Sequence, residues 1–114
     1  MDAKERRRSQ RLPLDVPVVV WGVSLDQAPF QEGAFTISVS AHGALVILGT
    51  TLVLGQTLFL RNLRSQDEMK GWVARVGPPH GEQAQIGIEF ARPAPEFWRV
   101  EFPPDSWKLL GTQT

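Results

Sequence analysis

The feature that most constrains this chain is a series of short segments with alternating apolar side chains, separated by turn residues about every ten positions. The cleanest segment is Gln83 to Phe90, in which every even position is apolar and the odd positions are polar or glycine. Because successive side chains of a β-strand point to opposite faces, a period of two indicates a strand with one buried face. The pattern therefore predicts an all-β barrel or sandwich built from antiparallel hairpins.

A second strand is expected over residues 12–21, which are rich in β-branched side chains. Pro13 and Pro17 exclude a helix here, and they place the strand at a sheet edge or a bend because proline donates no backbone hydrogen bond. Val18 and Val20 fall on one face of this strand, and Val19 and Trp21 fall on the other.

Residues 35–48 predict two strand segments separated by a bend. Residues 35–37 begin a strand, residues 38–43 interrupt it and residues 44–48 resume it. The interruption contains two short hydroxyl side chains and Gly43, which suits a tight turn or bulge with a positive φ at the glycine. Hydroxyl and backbone N–H groups in such a bend can form a concavity that accepts an anion. Further strands are predicted over residues 56–61 and 69–76, and loops over residues 22–34 and 77–82.

The C-terminal region, residues 91–110, lacks the alternation of the preceding segments. Pro95 suits the first position of a short helical segment over residues 94–100, and a second segment is expected over residues 106–110. Four aromatic residues here carry too much apolar area to remain in water, so we expect them to pack against the barrel. They are Phe97, Trp98, Phe102 and Trp107.

Basic residues are concentrated at the N-terminus. Residues 1–11 hold five basic and two acidic groups, whereas the rest of the chain holds seven basic and ten acidic groups. A run of this kind is by itself commonly a solvated tail. An acidic body does not provide the wide basic face that a general nucleic-acid-binding protein needs. The basic run consists of Arg6, Arg7, Arg8 and Arg11, with Lys4 just before it.

Several classes of site lack the residues that they require. The absence of cysteine excludes disulfides, thiolate metal sites and cysteine nucleophiles, and two histidines are too few for a His-based zinc site without carboxylates. No nucleophile–base pattern or glycine-rich phosphate loop is found, so we expect no enzyme, metal or cofactor. No apolar stretch approaches the roughly twenty residues that span a bilayer, and the charged N-terminus lacks a secretory apolar region. We therefore expect a cytoplasmic protein without a membrane partner.

Two motifs in succession resemble the signature of PilZ domains. Arg7 and Arg11 match the Arg-x-x-x-Arg motif, and residues 38–43 match Asp/Asn-x-Ser-x-x-Gly except at Ser38. Residues 85–90 also resemble the family's final strand, so the resemblance extends from about residue 6 to residue 90. It implies a six-stranded antiparallel β-barrel of the split-barrel type with short C-terminal helical segments. It also implies a receptor for the bacterial second messenger cyclic di-GMP.

The resemblance implies three regions in the chain. Residues 1–11 would form a basic, flexible arm that folds over the ligand on binding. Residues 12–110 would form the barrel with its helical tail, and residues 111–114 a disordered end.

The resemblance also implies roles for the motif residues. Arg7 and Arg11 would grip guanine edges and phosphates, because a guanidinium fork matches the O6 and N7 acceptors of guanine. Arg8 would add a stacking or phosphate contact. Ser40 would donate its hydroxyl to the ligand or orient an arginine, and Gly43 would let the backbone approach closely.

Ser38 leaves more than one function open, because serine is shorter than Asp or Asn and carries no charge. The leading hypothesis is a receptor and adaptor that changes its affinity for an unknown protein effector when cyclic di-GMP binds. The alternative is a degenerate PilZ-like interaction module that does not bind the dinucleotide. A third hypothesis, a barrel that binds single-stranded nucleic acid through its arm, predicts exposed aromatics on the strands and steep salt dependence. We expect no nucleic-acid partner, because the Trp and Phe residues are concentrated in the C-terminal region.

Overall fold

The computed structural model describes residues 11–100, which form one antiparallel sheet that closes on itself. The strand order is β1-β3-β2-β5-β6-β7-β4, and β3 also pairs with β4, so that six strands make a closed barrel and the short β1 pairs with β3 beyond the start of β2. The predicted all-β, six-stranded antiparallel barrel is confirmed. The strands are β1 (Leu12–Pro13), β2 (Pro17–Val23), β3 (Pro29–Ser40), β4 (Gly43–Leu48), β5 (Thr57–Asn62), β6 (Glu68–His80) and β7 (Gln83–Phe90).

The barrel closes through β3, which changes its partner along its length. Residues 29–35 pair with β2, and residues 36–40 pair with β4, with a register shift between Thr36 and Ser38. A bulge of this kind bends a strand and increases its local twist, which lets one strand belong to both sides of the ring. Each ring strand between residues 11 and 100 has a partner on both sides along at least part of its length, which shortens the unpaired edges.

The core is formed by the inward-facing side chains of the six ring strands. In β2 the predicted alternation is confirmed, because Val18 and Val20 are fully buried while Val19 and Trp21 are only partly covered. In β7 the inward side chains are those of the even positions, as predicted. Burying each aliphatic side chain of this size contributes about 1.5–3 kcal/mol. The other fully buried core residues include Val39, Val46, Leu48, Leu58, Leu60, Val73 and Ile86.

Two buried polar side chains, Thr36 and Asn62, hold the segments around residues 14–16 and residue 97 against one end of the barrel by hydrogen bonds. The Thr36 hydroxyl accepts a hydrogen bond from Val16 N at 2.8 Å and donates one to Leu14 O at 2.5 Å. Asn62 Nδ2 donates to Phe97 O at 2.8 Å. Because a buried polar group without a partner is costly, these bonds fix both segments in place.

Two segments that were predicted as loops are largely strand. In residues 22–34, β2 continues to Val23 and β3 begins at Pro29, which leaves only a short turn between them. In residues 77–82, β6 continues to His80. A register shift between Val76 and Pro79 accommodates the prolines, since residues at a bulge do not need every ladder hydrogen bond.

The predicted break over residues 38–43 is shorter than expected. Ser38 and Ser40 belong to β3, and Gly43 begins β4, so the turn consists of Ala41 and His42 alone. Gly43 does not have the positive φ that its position suggested. The hydroxyl residues of the second motif therefore lie on a strand and not in a loop.

Where a helical segment was predicted over residues 94–100, residues 95–99 form turns, and no helix occurs between residues 11 and 100. Arg99 has a φ of 61°, a left-handed conformation in which an α-helix cannot continue. The segment predicted over residues 106–110, together with Phe102, Trp107 and residues 111–114, lies outside the described part of the chain, as do residues 1–10. Within the described part, no helix is present that could cross a membrane.

Phe97 and Trp98 are buried, with exposed fractions of 4% and 3%, which confirms the packing predicted for these two aromatics. Both rings lie against Phe90 at the end of β7, with centroid distances of 5.1 Å and 6.0 Å. They meet each other edge to face at 4.8 Å. Aromatic pairs in this range add about 0.5–1.5 kcal/mol beyond area burial, so this cluster seals the end of the barrel.

Candidate functional site

A cavity of about 360 Å³ opens on the outer face of the barrel over β3, β4, β7 and β6. The serine, arginine and glutamate side chains of the cavity face outward because alternate residues of the same strands, among them Val39, Val46 and Ile88, point into the core. Arg7 and Arg8 lie outside the described residues. The other four residues of the predicted site line this one cavity: Arg11, Ser38, Ser40 and Gly43.

The strand register arranges the cavity residues in two rows across the sheet. In the first row, Ser38 of β3 pairs with Leu45 of β4, Leu45 with Gly87 of β7, and Gly87 with Arg75 of β6. A Cβ at Gly87 would lie 3.1 Å from Cβ of Arg75, so the arginine stem borders the space above the glycine. This row therefore has a hydroxyl group at one end and a guanidinium group at the other. The cavity floor is open at Gly87, which has no side chain.

In the second row, Ser40 of β3 pairs with Gly43 of β4, and Gly43 pairs with Glu89 of β7. Neighbouring strands lie about 4.8 Å apart, so Ser40 and Glu89 face each other across roughly 10 Å. The two rows together place hydroxyl groups on one wall of the cavity and charged side chains on the other.

Gly43 is required by the close approach of two backbones. A Cβ at this position would lie 1.9 Å from Ile88 O and 3.1 Å from Cα of Glu89, distances that leave no room for a side chain. Only glycine lets β4 and β7 pair at this point. The predicted importance of Gly43 thus has a different physical cause from the positive φ expected of it.

Two hydrogen bonds hold Ser40 in place, and a third fixes its neighbour His42. Its hydroxyl oxygen accepts a hydrogen bond from His42 N at 3.1 Å, and its carbonyl accepts one from the Trp98 indole Nε1 at 3.0 Å. The His42 carbonyl in turn accepts from Phe90 N at 2.7 Å. Because a hydroxyl can accept and donate at once, Ser40 can still donate its hydrogen to a group in the cavity.

The charged groups of the cavity wall favour an anion. Arg11, which precedes β1, and Arg75 are exposed, and Glu89 is half-buried. Two guanidinium groups and one carboxylate give these walls a net charge of +1. Among residues 11–100, no group of three or more His, Asp or Glu side chains could hold a metal ion.

Sequence reasoning did not identify Arg75 and Glu89 as site residues. Nothing in the sequence connects Glu89 with the motif residues, because the sequence does not reveal that β7 lies between β4 and β6. Its sequence signals are its outward position in the alternation of β7 and its place in the segment that resembles the family's final strand. Arg75 likewise reaches the cavity only through its pairing with Gly87.

A second group of aromatic residues lies on the outside of β2 and β5, contrary to the expected concentration in the C-terminal region. Trp21 and Phe59 stack with a centroid distance of 5.7 Å and an interplanar angle of 17°. The Arg61 guanidinium lies 5.5 Å from the centre of the Trp21 ring and pairs with Glu68. None of these four residues lines the cavity.

Comparison with known proteins connects this architecture to a family. The family model for the PilZ domain matches residues 5–99. The solved structure of the Bacillus subtilis inhibitor of motility, MotI/DgrA, is 21% identical with a TM-score of 0.60, and the match covers 78% of this chain and 44% of that chain. This chain therefore spans less than half of the length of that protein, and at this identity the likeness is one of fold.

A second solved structure, the PilZ domain of CeSA from a cellulose-synthesizing bacterium, is 19% identical with a TM-score of 0.48. That match covers 70% of this chain and 80% of the other. No curated protein matches the sequence. Because the family model covers most of the chain, from before the barrel to the turns that close its end, the chain belongs to the PilZ domain family.

Proposed function

We propose that this domain is a cyclic di-GMP receptor that acts as an adaptor and changes its affinity for a protein effector when the dinucleotide binds. The observation that carries the proposal is the convergence of Arg11, Ser38, Ser40 and Gly43 on one cavity, although they come from two separate motifs. Membership of a family of regulatory binding modules supports a ligand-binding role over catalysis.

The chemistry of the cavity suits this ligand. Cyclic di-GMP carries two phosphates and two guanines, and a guanidinium fork matches both phosphate oxygens and the O6 and N7 edge of guanine. Each bidentate arginine–guanine contact contributes about 1–3 kcal/mol. Two or three contacts of this kind, together with base stacking at about 1–3 kcal/mol per base, bring micromolar binding, near −8 kcal/mol, within reach after the cost of ordering the arm.

The N-terminal arm would complete the site. A cavity of about 360 Å³ lies near the lower limit for small-molecule sites, roughly 300–1,000 Å³, so the walls described above would hold only part of a dinucleotide. Arg7 precedes Arg11 by four positions, so the Cα atoms of the two residues are at most about 14 Å apart. Arg7 and Arg11 would therefore grip the guanine and phosphates together, and Arg8 would add a stacking or phosphate contact.

Ser38 favours a second candidate function. It occupies the position where the family motif has Asp or Asn, and it lines the cavity without a charge. A serine reaches less far than a carboxylate and gives no charge-assisted hydrogen bond. The second candidate is therefore a PilZ-type interaction module that binds its protein partner without the dinucleotide.

Calorimetric titration of the full chain with cyclic di-GMP separates the two functions. The receptor should bind in the micromolar range, and Arg7→Ala and Arg11→Ala should each weaken binding tenfold or more because a bidentate contact is lost. Arg92→Ala is the matched control, because Arg92 is exposed and lies outside the cavity lining. Absence of heat and of thermal stabilisation at high micromolar ligand would reject the receptor and leave the interaction module.

A further inference from the structure

Arg75 and Glu89 line the wall of the cavity opposite the two serines, and neither belongs to the Arg-x-x-x-Arg motif or to the motif over residues 38–43. We infer that these two residues form a guanine-reading subsite, in which Arg75 contacts the O6 and N7 edge of one base and Glu89 contacts its N1–H and N2–H edge. The subsite makes the domain select guanine over adenine dinucleotides. The inference rests on the proposed function and names the residues that set its base specificity.

The pairing of β6 with β7 places the side chains of Arg75 and Glu89 on either side of Gly87, which has no side chain. Arg75 pairs with Gly87, and Glu89 lies two residues further along β7 on the same outer face. Diagonal neighbours of this kind are about 7–8 Å apart, within reach of two long side chains. Because Gly87 has no side chain, a flat ring can lie above it between the guanidinium and the carboxylate.

Both side chains are available for a ligand. Among residues 11–100, neither Arg75 nor Glu89 takes part in an ion pair or a side-chain hydrogen bond, whereas Glu68 and Asp67 are paired with Arg61 and Arg99. Glu89 is nevertheless half-buried in the cavity wall. A partly desolvated carboxylate gains most from a ligand that brings two hydrogen-bond donors.

The two contacts discriminate between purines in the same direction. Guanine presents N1–H and N2–H as adjacent donors, which match the two oxygens of a carboxylate, and O6 and N7 as adjacent acceptors, which match an arginine fork. Adenine has a lone pair at N1 and an amino group at N6, so it would set an acceptor against Glu89 and a donor against Arg75. Each mismatch leaves a polar group of the site without its partner.

Glu89 also supplies what Ser38 lacks. The family motif has a carboxylate or an amide on the β3 wall, where this chain has an uncharged hydroxyl. Glu89 returns a carboxylate to the same cavity from the β7 wall. The site thus keeps an acceptor for the donor edge of guanine, although it lies on a different strand.

The test compares cyclic di-GMP with cyclic di-AMP by calorimetric titration of the full chain and of Glu89→Gln and Arg75→Ala. We expect the unmodified chain to prefer the guanine ligand about 100-fold, because each of the two bidentate contacts distinguishes the bases by about tenfold. Each substitution should lower affinity for cyclic di-GMP about tenfold and reduce the preference by the same factor. Glu82→Gln, in the exposed turn after β6, and Arg92→Ala are the matched controls and should change neither ligand's binding.

The outcomes separate this inference from the function on which it rests. If the unmodified chain binds cyclic di-GMP and both variants keep the full preference for guanine, the subsite is wrong while the receptor stands. Equal weakening of both ligands would mean that the side chains act only through charge or folding, and would also reject the subsite. If the unmodified chain binds neither ligand, the receptor itself is wrong. Thermal unfolding of each variant, expected to match the unmodified chain, confirms that the fold is retained.

Discussion

The inner and outer faces of the barrel are made by alternating residues of the same strands, as in β4 and β7, but the inner face requires filled volume and the outer face requires open space and charge. On the inner face, Val46 and Ile86 are at most 1% exposed, and their contribution depends on filled volume. On the outer face, Gly87 and Glu89 contribute an open floor and a charge to the cavity. The comparison teaches that one set of positions determines the fold while the other determines what the cavity accepts, so ligand preference can change without a change of fold.

The largest effect is expected from Leu60→Ala, which tests the inner face alone. Leu60 is fully buried, and truncation should lower the free energy of unfolding by about 2–5 kcal/mol because it leaves a cavity in the core. Urea unfolding measures this loss, and the affinity of the folded molecules for cyclic di-GMP should stay unchanged. Leu54→Ala, at a leucine that is 66% exposed, should change stability by less than about 0.5 kcal/mol. A changed affinity in folded Leu60→Ala would break the separation of the two faces.

Gly43→Ala tests the close approach of β4 and β7, on which both the barrel and the cavity depend. The added methyl group would collide with the Ile88 carbonyl, so strands β4 and β7 must separate, at about 3 kcal/mol of unfolding free energy. Cyclic di-GMP affinity should fall as well, because the same separation distorts the row from Ser40 to Glu89. Gly33→Ala is the control, since the nearest atom to a Cβ there is 4.0 Å away. Equal stability of the two variants in urea would show that the backbones do not meet at Gly43 as described.

Ser38→Asp tests the outer face alone. The aspartate restores the charge of the family motif on the β3 wall, and we expect cyclic di-GMP affinity to rise about tenfold through one charge-assisted contact. The midpoint of urea unfolding should not move, because Ser38 lies on the rim of the cavity and not in the core. Ser65→Asp, in the turn after β5, provides a matched addition of charge away from the cavity. If the urea midpoint of Ser38→Asp rose while its affinity for cyclic di-GMP did not, residue 38 would affect folding and not ligand binding.

The smallest effect concerns Asp26, in the turn between β2 and β3, away from both faces. The hydrogen bond from the Ser24 hydroxyl, at 2.5 Å, and then those from the backbone N–H groups of Ala28 and Asp26 hold the pKa of this carboxyl below 3.8. Because the folded pKa is lowered, the contribution to stability is present above the ordinary value and is lost as pH falls through the lower one. Ser24→Ala should raise the Asp26 pKa toward 3.8 in an NMR titration, whereas Ser65→Ala should leave it unchanged. An unaltered pKa in Ser24→Ala would exclude the hydroxyl as the principal cause.

The inner face could be predicted from sequence because alternation alone determines it, as Val18, Val20 and the even positions of β7 show. The positions at which the strands end could not be predicted from the sequence. β6 continues through Pro78 and Pro79, which read as a loop, because a bulge relieves the missing hydrogen bonds only when the partner strand is in place. The turns at residues 95–99 replaced a predicted helical segment, because burial of Phe97 and Trp98 against Phe90 outweighed the weak local preference.

The candidate site could be predicted in part, by motif spacing. Arg11, Ser38 and Ser40 were identified because their spacing along the chain is fixed in the motifs. Arg75 and Glu89 join them through the pairing of β7 with β4 and β6, which depends on the closure of the whole barrel. Such long-range register leaves no local signal in a single sequence.

The hydrogen bond from the Trp98 indole to the Ser40 carbonyl gives the domain an intrinsic optical reporter. Indole emission shifts with the strength of the N–H hydrogen bond and with local polarity. A molecule that accepts a hydrogen bond from the Ser40 hydroxyl also perturbs the Ser40 carbonyl, to which the Trp98 indole donates. We therefore expect ultraviolet fluorescence of the unlabelled chain to change when the cavity is occupied, and Trp98→Phe should separate this change from the emission of Trp21, Trp72 and Trp107.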